Sequence, residues 1–265
     1  MTGGDYWVRI SEGGRPLGAG FLLAPVYVLT AMHCLRGADT EYGRLELELA
    51  DGRVMAGRLC DSVKENDLAL IHIDDAHQYD LPLPPVDWPR PHVRWRSTYC
   101  PSDEQTKLSG RVSHAPILYR SVEGGEFAGL QLTVEQGLGD YSGYSGSPVD
   151  TGPAVVGILM EQQYSREDPS KGSEVLVAAS VRHAMDLFPH FGMESLRNGG
   201  QAPEEPCEPT GQAGGRNVVR DVEVVLKALR QWEEAGYITQ EEAQEQRGRT
   251  LRKFGDRALG GDPDA

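Results

Sequence analysis

The chain has 265 residues, of which 39% are apolar and 25% charged, and its formal net charge is −14. That length suits a globular domain with a sizeable core and a small appendage. The acidic balance argues against nucleic-acid binding through a broad basic face. Because no apolar segment is long enough to span a bilayer, membrane insertion is not expected either.

The amino-terminal residues MTGGDYWVRI lack the basic start and apolar core of a signal peptide, and the first predicted strand begins at Tyr6. Four cysteines, at positions 34, 60, 100 and 207, are widely spaced and form no CxxC pair. This spacing predicts neither a disulfide framework nor a zinc site. We therefore expect a protein of a reducing compartment, the bacterial cytoplasm.

The first candidate functional residue is His33, in the segment GAGFLLAPVYVLTAMHCL. The runs Phe21–Leu23 and Val26–Leu29 are apolar and partly β-branched, which predicts two buried strands joined at Ala24-Pro25. His33 then follows a strand end, where a sheet can hold a side chain facing a cleft. The alternative is a structural or solvated histidine.

The second candidate is Asp67, between the polar turn 64–66 and the apolar run 68–73. A carboxylate at a strand start can accept a hydrogen bond from an imidazole, whereas the alternative is an aspartate that only caps a turn. Asp61 and Asp74 are fallback candidates for the same role. The following stretch HIDDAHQYD, residues 72–80, has several possible metal ligands, but a polar turn explains it better, and no metal or cofactor is predicted.

The third candidate is Ser145, in the segment GLGDYSGYSGSP. Gly143 and Gly146 bracket this serine, as a tight turn with inward-pointing backbone amides requires. The amides of Gly143 and Ser145 would then form an oxyanion hole. Ser142 and Ser147 are rival nucleophiles, but neither has glycine at both the −2 and +1 positions. A Gly/Ser-rich surface loop is the alternative, and it leaves the predicted strand at 154–160 unexplained.

Together, His33, Asp67 and Ser145 are the parts of a nucleophilic hydrolase. The serine supplies the attacking oxygen, the histidine removes its proton, and the aspartate fixes the imidazole tautomer and stabilises the imidazolium.

The strings VLTAMHC, NDLALI and GYSGSPV, in this order, resemble the trypsin-like serine peptidases of the chymotrypsin fold over residues 5–190. LELADGRVMAGRLCDSVKENDLALIHID and EVLVAASVRHAMDLF are most similar to compact Deg/HtrA-type protease domains of bacteria. The resemblance implies a mainly β fold of two six-stranded antiparallel barrels with the site between them. It also implies His33 as base, Asp67 as orienting acid, Ser145 as nucleophile and Gly143 as oxyanion donor.

Two positions depart from the secreted relatives. These enzymes have an aspartate before the serine, which pairs with a new amino terminus after activation cleavage. Here Tyr144 stands there, so activation by such a cleavage is not expected. The relatives also bond the cysteine after the histidine to a partner about fifteen residues upstream of that histidine. Because Gly18 occupies that partner position here, Cys34 is expected to be a free, buried thiol.

Two acids are candidates for substrate binding. Asp140 lies in the loop before Ser145, one place from the position that gives trypsin-type enzymes their preference for Arg or Lys, and Glu161 lies on the following strand. An exposed loop acid is the alternative for Asp140. If Asp140 lines the pocket, Asp140→Ala should lower cleavage after Arg more than cleavage after Leu.

The remainder of the chain has a different composition. Residues 191–216 are rich in Gly, Pro, Glu and Gln, which predicts a flexible linker. Apolar residues then recur at helical spacing, and residues 217–257 are predicted to form a helical hairpin, with a second helix starting after Thr239. ALRQWEEAGYITQEEAQEQRGRTLRKF resembles the short SHOCT modules, which implies self-association or docking on a partner. Packing on its own catalytic domain is the alternative.

From these features we expect an intracellular serine endopeptidase that cleaves a protein or peptide substrate and is controlled by a partner or assembly. A bacterial conflict or defence system is one such setting. The alternatives are a Deg-like quality-control protease and an inactive protease fold that serves as a binding module.

Overall fold

A computed structural model describes residues 5–39, 43–102, 105–121, 124–164 and 172–188, with single positions between 226 and 248. Two closed barrels of six antiparallel strands each make up the main body. The predicted fold class is therefore confirmed. No helix in these ranges is long and apolar enough to cross a membrane.

The first barrel closes in the strand order β1-β2-β3-β6-β5-β4. Its strands are β1 (Trp7–Glu12), β2 (Arg15–Ala24), β3 (Tyr27–Ala31), β4 (Leu45–Leu49), β5 (Val54–Val63) and β6 (Leu68–Ile73). In β4 the leucines face inward and the glutamates between them are only partly buried, as the two-residue period of a strand requires. β3, which contains most of the predicted apolar run 26–29, is buried at every position.

The second barrel closes in the order β10-β11-β12-β9-β8-β7. Its strands are β7 (Arg94–Arg96), β8 (Ser109–Arg120), β9 (Glu126–Val134), β10 (Pro148–Thr151), β11 (Ala154–Tyr164) and β12 (Gly172–Ser180). The helix α1 (Val181–Leu187) follows directly and buries five of its side chains. The predicted last strand and closing helix are thus confirmed.

The cysteine prediction is correct in part. Cys34 and Cys100 are free, and Cys34 is buried, as expected. Cys60 is disulfide-bonded, so the expectation of no disulfide is wrong. Its partner lies outside the described residues.

The predicted linker, residues 191–216, lies outside the described residues, and so does most of the predicted helical module, residues 217–257. Of the module, single helical positions are described on either side of Thr239, and Arg247 pairs with Glu233 at 2.5 Å. The SHOCT resemblance, and what the module docks on, stay predictions.

Candidate active site

The pairing of β3 with β6 brings His33 and Asp67 together. Ala31, the last residue of β3, lies opposite Leu68, the first residue of β6. The ladder extends one step further, since the amide of Met32 donates to the carbonyl oxygen of Asp67 at 2.9 Å. His33 and Asp67 therefore emerge side by side from one end of the first barrel.

Asp67 binds His33 through both of its carboxylate oxygens. Oδ2 lies 2.5 Å from Nδ1 of the ring, and Oδ1 accepts the backbone amide of His33 at 2.8 Å. The Asp67 side chain is only 7% exposed, whereas that of His33 is 26% exposed. The carboxylate is thus shielded from water, while the imidazole keeps an open side on which it can act.

The surroundings of His33 favour its protonated form. Burial opposes a charge on the ring, but the hydrogen bond to Asp67 and the neighbouring Cys34 thiol outweigh it and raise the pKa of His33. This is the electrostatics expected of a group that takes a proton during a reaction and holds it until a leaving group needs it.

The turn before Asp67 is held by the second barrel. The carbonyl of Glu65 accepts hydrogen bonds from the amide of Gly125, at 2.8 Å, and from the hydroxyl of Ser121. The side-chain amide of Asn66 donates to the carbonyl of Glu126 at 2.9 Å. These contacts join residues about 60 positions apart, and nothing in the sequence indicated them.

Ser145 lies in a loop that is pressed against the first barrel. Gly143 and Gly146 have φ values of +89° and +83°, so the predicted need for glycine on both sides is confirmed. A Cβ on Gly146 would lie 1.9 Å from the carbonyl oxygen of Ala19, which leaves no room for any side chain. The carbonyl of Ser145 accepts the amide of Ala19 at 3.1 Å.

The Ser145 hydroxyl donates to the carbonyl of Met160 in β11 at 3.1 Å. Within the described residues, no hydrogen bond joins it to His33. The structure therefore brings His33 and Asp67 into contact and leaves the hydroxyl of Ser145 on a different acceptor.

The rival serines are less suited to nucleophilic attack. Ser147 is fully buried and its hydroxyl donates to the carbonyl of Tyr144 at 2.5 Å. Ser142 is exposed and its hydroxyl donates to Asp140 at 2.7 Å.

The candidate oxyanion donors are the amides of Gly143 and Ser145. Neither amide donates to a protein acceptor among the residues that the structure describes. Both amides therefore remain free to bind a developing negative charge.

Gly18 and Cys34 are packed against each other, as the comparison with secreted relatives suggested. A Cβ on Gly18 would lie 2.6 Å from Sγ of Cys34. The Cys34 thiol instead donates to the carbonyl of Ser145 at 3.4 Å.

The two acids proposed for substrate binding have different surroundings. Asp140 is exposed, and its carboxylate accepts both the amide and the hydroxyl of Ser142 within its own loop. Glu161 is half-buried and accepts a hydrogen bond from the hydroxyl of Tyr119. Burial and the charge of Asp67 raise the pKa of Glu161, and the charge of His33 partly opposes them. Glu161 thus lies within electrostatic range of the His33–Asp67 pair, and a specificity role for either acid stays a prediction.

The fallback acids have other partners. Asp74 pairs with Arg58 at 2.9 Å, and Asp61 accepts the amide of Ser62 at 2.7 Å. In the described ranges, no group of three or more His, Cys, Asp or Glu side chains is arranged to hold a metal ion. The absence of a metal stays an expectation.

Two closed barrels with a histidine–aspartate pair and a glycine-flanked serine at their junction are the hallmarks of chymotrypsin-like serine endopeptidases, which are hydrolases. The model of the trypsin-like peptidase domain family matches residues 18–158, more than half of the chain. The chain therefore belongs to this family.

Among solved structures, the fold is similar to that of the HtrA-type protease AlgW with decapeptide, at a TM-score of 0.52 and 18% identity. The match covers 75% of this chain and 65% of the AlgW chain. No curated protein matches. The predicted likeness to the Deg/HtrA-type domains is thus confirmed at the level of the fold.

Proposed function

We propose that this chain is an intracellular serine endopeptidase that hydrolyses peptide bonds of a protein substrate with a triad of Ser145, His33 and Asp67. The observation that carries the proposal is the two-point hydrogen bonding of Asp67 to His33, at 2.5 and 2.8 Å, next to a serine between two glycines of positive φ. A histidine with a purely structural role does not need a buried carboxylate that is hydrogen-bonded to both its ring and its backbone amide.

In the proposed reaction, the Ser145 hydroxyl rotates from the Met160 carbonyl to the free Nε2 of His33. Its oxygen attacks the scissile carbonyl carbon while its proton passes to Nε2, and Asp67 stabilises the imidazolium. The amides of Gly143 and Ser145 bind the oxyanion. Collapse of the tetrahedral intermediate breaks the C–N bond, and the amine leaves with the proton from His33. Water then hydrolyses the acyl-enzyme with His33 again as base.

Control by a partner or an assembly is part of the proposal. The hydrogen bond from Ser145 to Met160 contributes about 1 kcal/mol, and side-chain rotations are fast, so this bond alone cannot keep the enzyme inactive. Tyr144 precedes the serine, which removes the acid that a new amino terminus would pair with. Contacts from outside the catalytic domain would therefore regulate its activity, and residues 217–257 are the candidate segment for making them. A conflict or defence system of bacteria is the setting we propose.

A cytoplasmic location is proposed on the two free cysteines, Cys34 and Cys100, whereas the disulfide at Cys60 counts against it. Alkylation of thiols in intact cells, before lysis, tests the location. A cytoplasmic protein would have Cys60 alkylated, and a protein that is protected at Cys60 would come from an oxidising compartment.

Two alternatives each have one observation in their favour. The fold similarity to the HtrA-type protease AlgW favours a quality-control protease that acts on unfolded chains. The Ser145 hydroxyl directed at Met160, and not at His33, favours an inactive fold that binds peptides.

Digestion of reduced, alkylated casein by the wild type and by Ser145→Ala separates these functions, with mass spectrometry of the new termini. The proposal predicts internal cuts by the wild type only, and equal product from both proteins would contradict it. A binding module would retain casein without cutting it in both forms. A dedicated protease would cut casein slowly and cut a protein trapped by Ser145→Ala rapidly, whereas a quality-control enzyme would cut casein readily.

A further inference from the structure

Tyr144 is buried directly before the candidate nucleophile. The residue is 1% exposed, and its hydroxyl donates to the carbonyl of Thr106 at 2.6 Å. A buried phenol needs such a partner, because an unsatisfied hydroxyl in a core is costly. Thr106 belongs to the connection between β7 and β8, 38 residues away in the chain.

The backbone of Tyr144 is fixed as well. Its carbonyl accepts the hydroxyl of Ser147 at 2.5 Å and the amide of Ser147 at 3.1 Å, and its amide donates to Tyr141 at 3.3 Å. The ring of Tyr141 packs 6.5 Å from that of Tyr144, and its hydroxyl donates to Glu174 in β12. The residue before Ser145 is thus held through its side chain, its amide and its carbonyl.

The connection that receives the Tyr144 hydroxyl is itself attached to the first barrel. The carbonyl of Cys100 accepts the guanidinium of Arg9 at 3.3 Å, and the ring of Tyr99 meets Trp7 edge-on at 5.6 Å. The same connection places Pro101 against Gly143, at 3.3 Å from where a Cβ would be. Gly143 and Tyr144 therefore rest on a segment that β1 holds in place.

The hydrogen bond from Tyr144 to Thr106 links an uncharged donor to a backbone carbonyl. Burial, together with the neighbouring Cys100, raises the pKa of Tyr144 to about 12, so its hydroxyl keeps its proton and remains a donor at neutral pH. No charge and no chain terminus is needed to form this bond.

We propose that Tyr144 is a positioning residue that holds the amides of Gly143 and Ser145 in the oxyanion-binding arrangement, so that the loop is formed without a new amino terminus. This inference rests on the proposed triad. The competing explanation is that the ring of Tyr144 only fills space in the core of the second barrel.

Tyr144→Phe separates the two explanations, because it keeps the ring and removes the hydroxyl. If the hydroxyl positions the loop, kcat for a small peptide ester falls about tenfold with KM nearly unchanged, since oxyanion contacts act mainly in the transition state. Labelling of Ser145 by a fluorophosphonate slows to the same extent.

Tyr6→Phe is the matched control, because it removes another buried phenol hydroxyl, which donates to Asp150 at 2.5 Å. It should lower the Tm and leave kcat and the labelling rate as in the wild type. Wild-type rates for Tyr144→Phe, or an equal slowing by Tyr6→Phe, would overturn the inference.

Two further measurements keep the test decisive. If Tyr144→Phe does not fold, Pro101→Gly removes the other support of Gly143 and must also slow labelling, and a wild-type rate would contradict the inference. A folded amino-terminal tag must leave the labelling rate unchanged, and a requirement for tag removal would contradict it. Wild-type protein labelled no faster than Ser145→Ala would instead refute the triad itself.

Discussion

At the scale of single residues, the site depends on an unequal burial of His33 and Asp67. The carboxylate is nearly enclosed and both of its oxygens are hydrogen-bonded to His33, while the ring keeps a quarter of its surface open. Asp67 also adopts a left-handed backbone conformation, with φ of 57°, which is uncommon for an aspartate. The contacts of Glu65 and Asn66 with the second barrel hold that conformation in place.

Replacing Asp67 should change both the rate and its pH dependence. In the proposed reaction the neutral imidazole is the base, so activity is lost as the pH falls through the pKa of His33, and a raised pKa puts this loss above the usual range near 6.5. Asp67→Asn removes the carboxylate charge, so kcat should drop about 10⁴-fold and the acidic limb should move to lower pH. Asp74→Asn, at a residue paired with Arg58, should leave the limb in place. Hydrolysis of a peptide ester measures kcat, and fluorophosphonate labelling rates between pH 5 and 11 measure the position of the limb. An unmoved limb in Asp67→Asn would contradict the assignment.

His183 in α1 is a buried polar group that the proposed mechanism does not use. It is 1% exposed, neither ring nitrogen has a hydrogen-bond partner among the residues that the structure describes, and burial lowers its pKa to about 4. The folded protein therefore holds this ring neutral, while the unfolded chain takes up a proton below about pH 6.5.

Above pH 6.5 His183 is neutral in both the folded and the unfolded state. As the pH falls from 6.5 towards 4, only the unfolded chain takes up the proton, so the free energy of unfolding decreases by up to about 3 kcal/mol. His183→Leu should raise the free energy of unfolding and weaken its decline between pH 7.5 and 5, measured by urea denaturation. His114→Gln, at an exposed position, should keep the wild-type decline. A decline in His183→Leu as steep as in the wild type would show that other groups cause it.

At the scale of elements, the hairpin of β8 and β9 supports the turn that carries Asp67, the candidate orienting acid. Gly125 lies at its tip, and a Cβ there would be 2.1 Å from the carbonyl oxygen of Glu65. Close approach of the two backbones is thus possible only with glycine at this position. The neighbouring Gly124 has φ of +94° but open space around it.

Gly125→Ala should push the Asp67 turn away and weaken the bond to His33. We expect a loss of about 1 to 3 kcal/mol in stability and a clear fall in kcat. Gly124→Ala should lower the stability by a comparable amount, about 1 to 2 kcal/mol, because alanine is strained in a left-handed backbone conformation. It does not touch the Asp67 turn, so its kcat should stay near that of the wild type. Parallel measurements of Tm and of ester hydrolysis check this, and equal kcat losses in both variants would contradict a specific support of Asp67.

The elements themselves could be predicted from sequence because their signals are local. The run 68–73 was predicted as a strand and is β6, and the predicted strands around Pro25 are β2 and β3. The contacts that complete the site are not local. Neither the bond of Tyr144 to Thr106 nor that of Tyr119 to Glu161 follows from any spacing, because each depends on how two distant segments of the barrels pack. The acceptor of the Ser145 hydroxyl, the carbonyl of Met160, is a similar case, since no spacing in the sequence indicates it.

At the scale of the whole molecule, a buried hydrogen bond joins the two barrels. The hydroxyl of Tyr6, just before β1, donates to Asp150 in β10, and the other oxygen of Asp150 has no partner in the described part of the chain. Burial raises the pKa of Asp150 to about 6, although Tyr6 and the charge of Arg96 oppose the shift. The junction between the barrels therefore contains a carboxyl group whose ionised form destabilises the folded protein.

Because the pKa of Asp150 is raised in the folded protein, ionisation of this carboxyl group lowers the stability of the fold. The unfolded carboxyl ionises near 3.8 and the folded one near 6, so stability falls as the pH rises between these values, by up to about 3 kcal/mol. Asp150→Asn keeps an oxygen that can accept the Tyr6 hydroxyl and removes the buried charge. It should be more stable than the wild type at pH 8 and lose this advantage near pH 4. A difference between the two proteins that is the same at both pH values, in urea denaturation, would contradict the assignment.

The central claim, that Ser145 is the nucleophile of this trypsin-like domain, is tested most directly by the position of a covalent adduct. The wild type and Ser145→Ala are treated with a biotinylated fluorophosphonate, digested and analysed by mass spectrometry. We expect one adduct per wild-type chain, on Ser145, and none on the variant. An adduct on Ser142 or Ser147, or equal labelling of the two proteins, would contradict it.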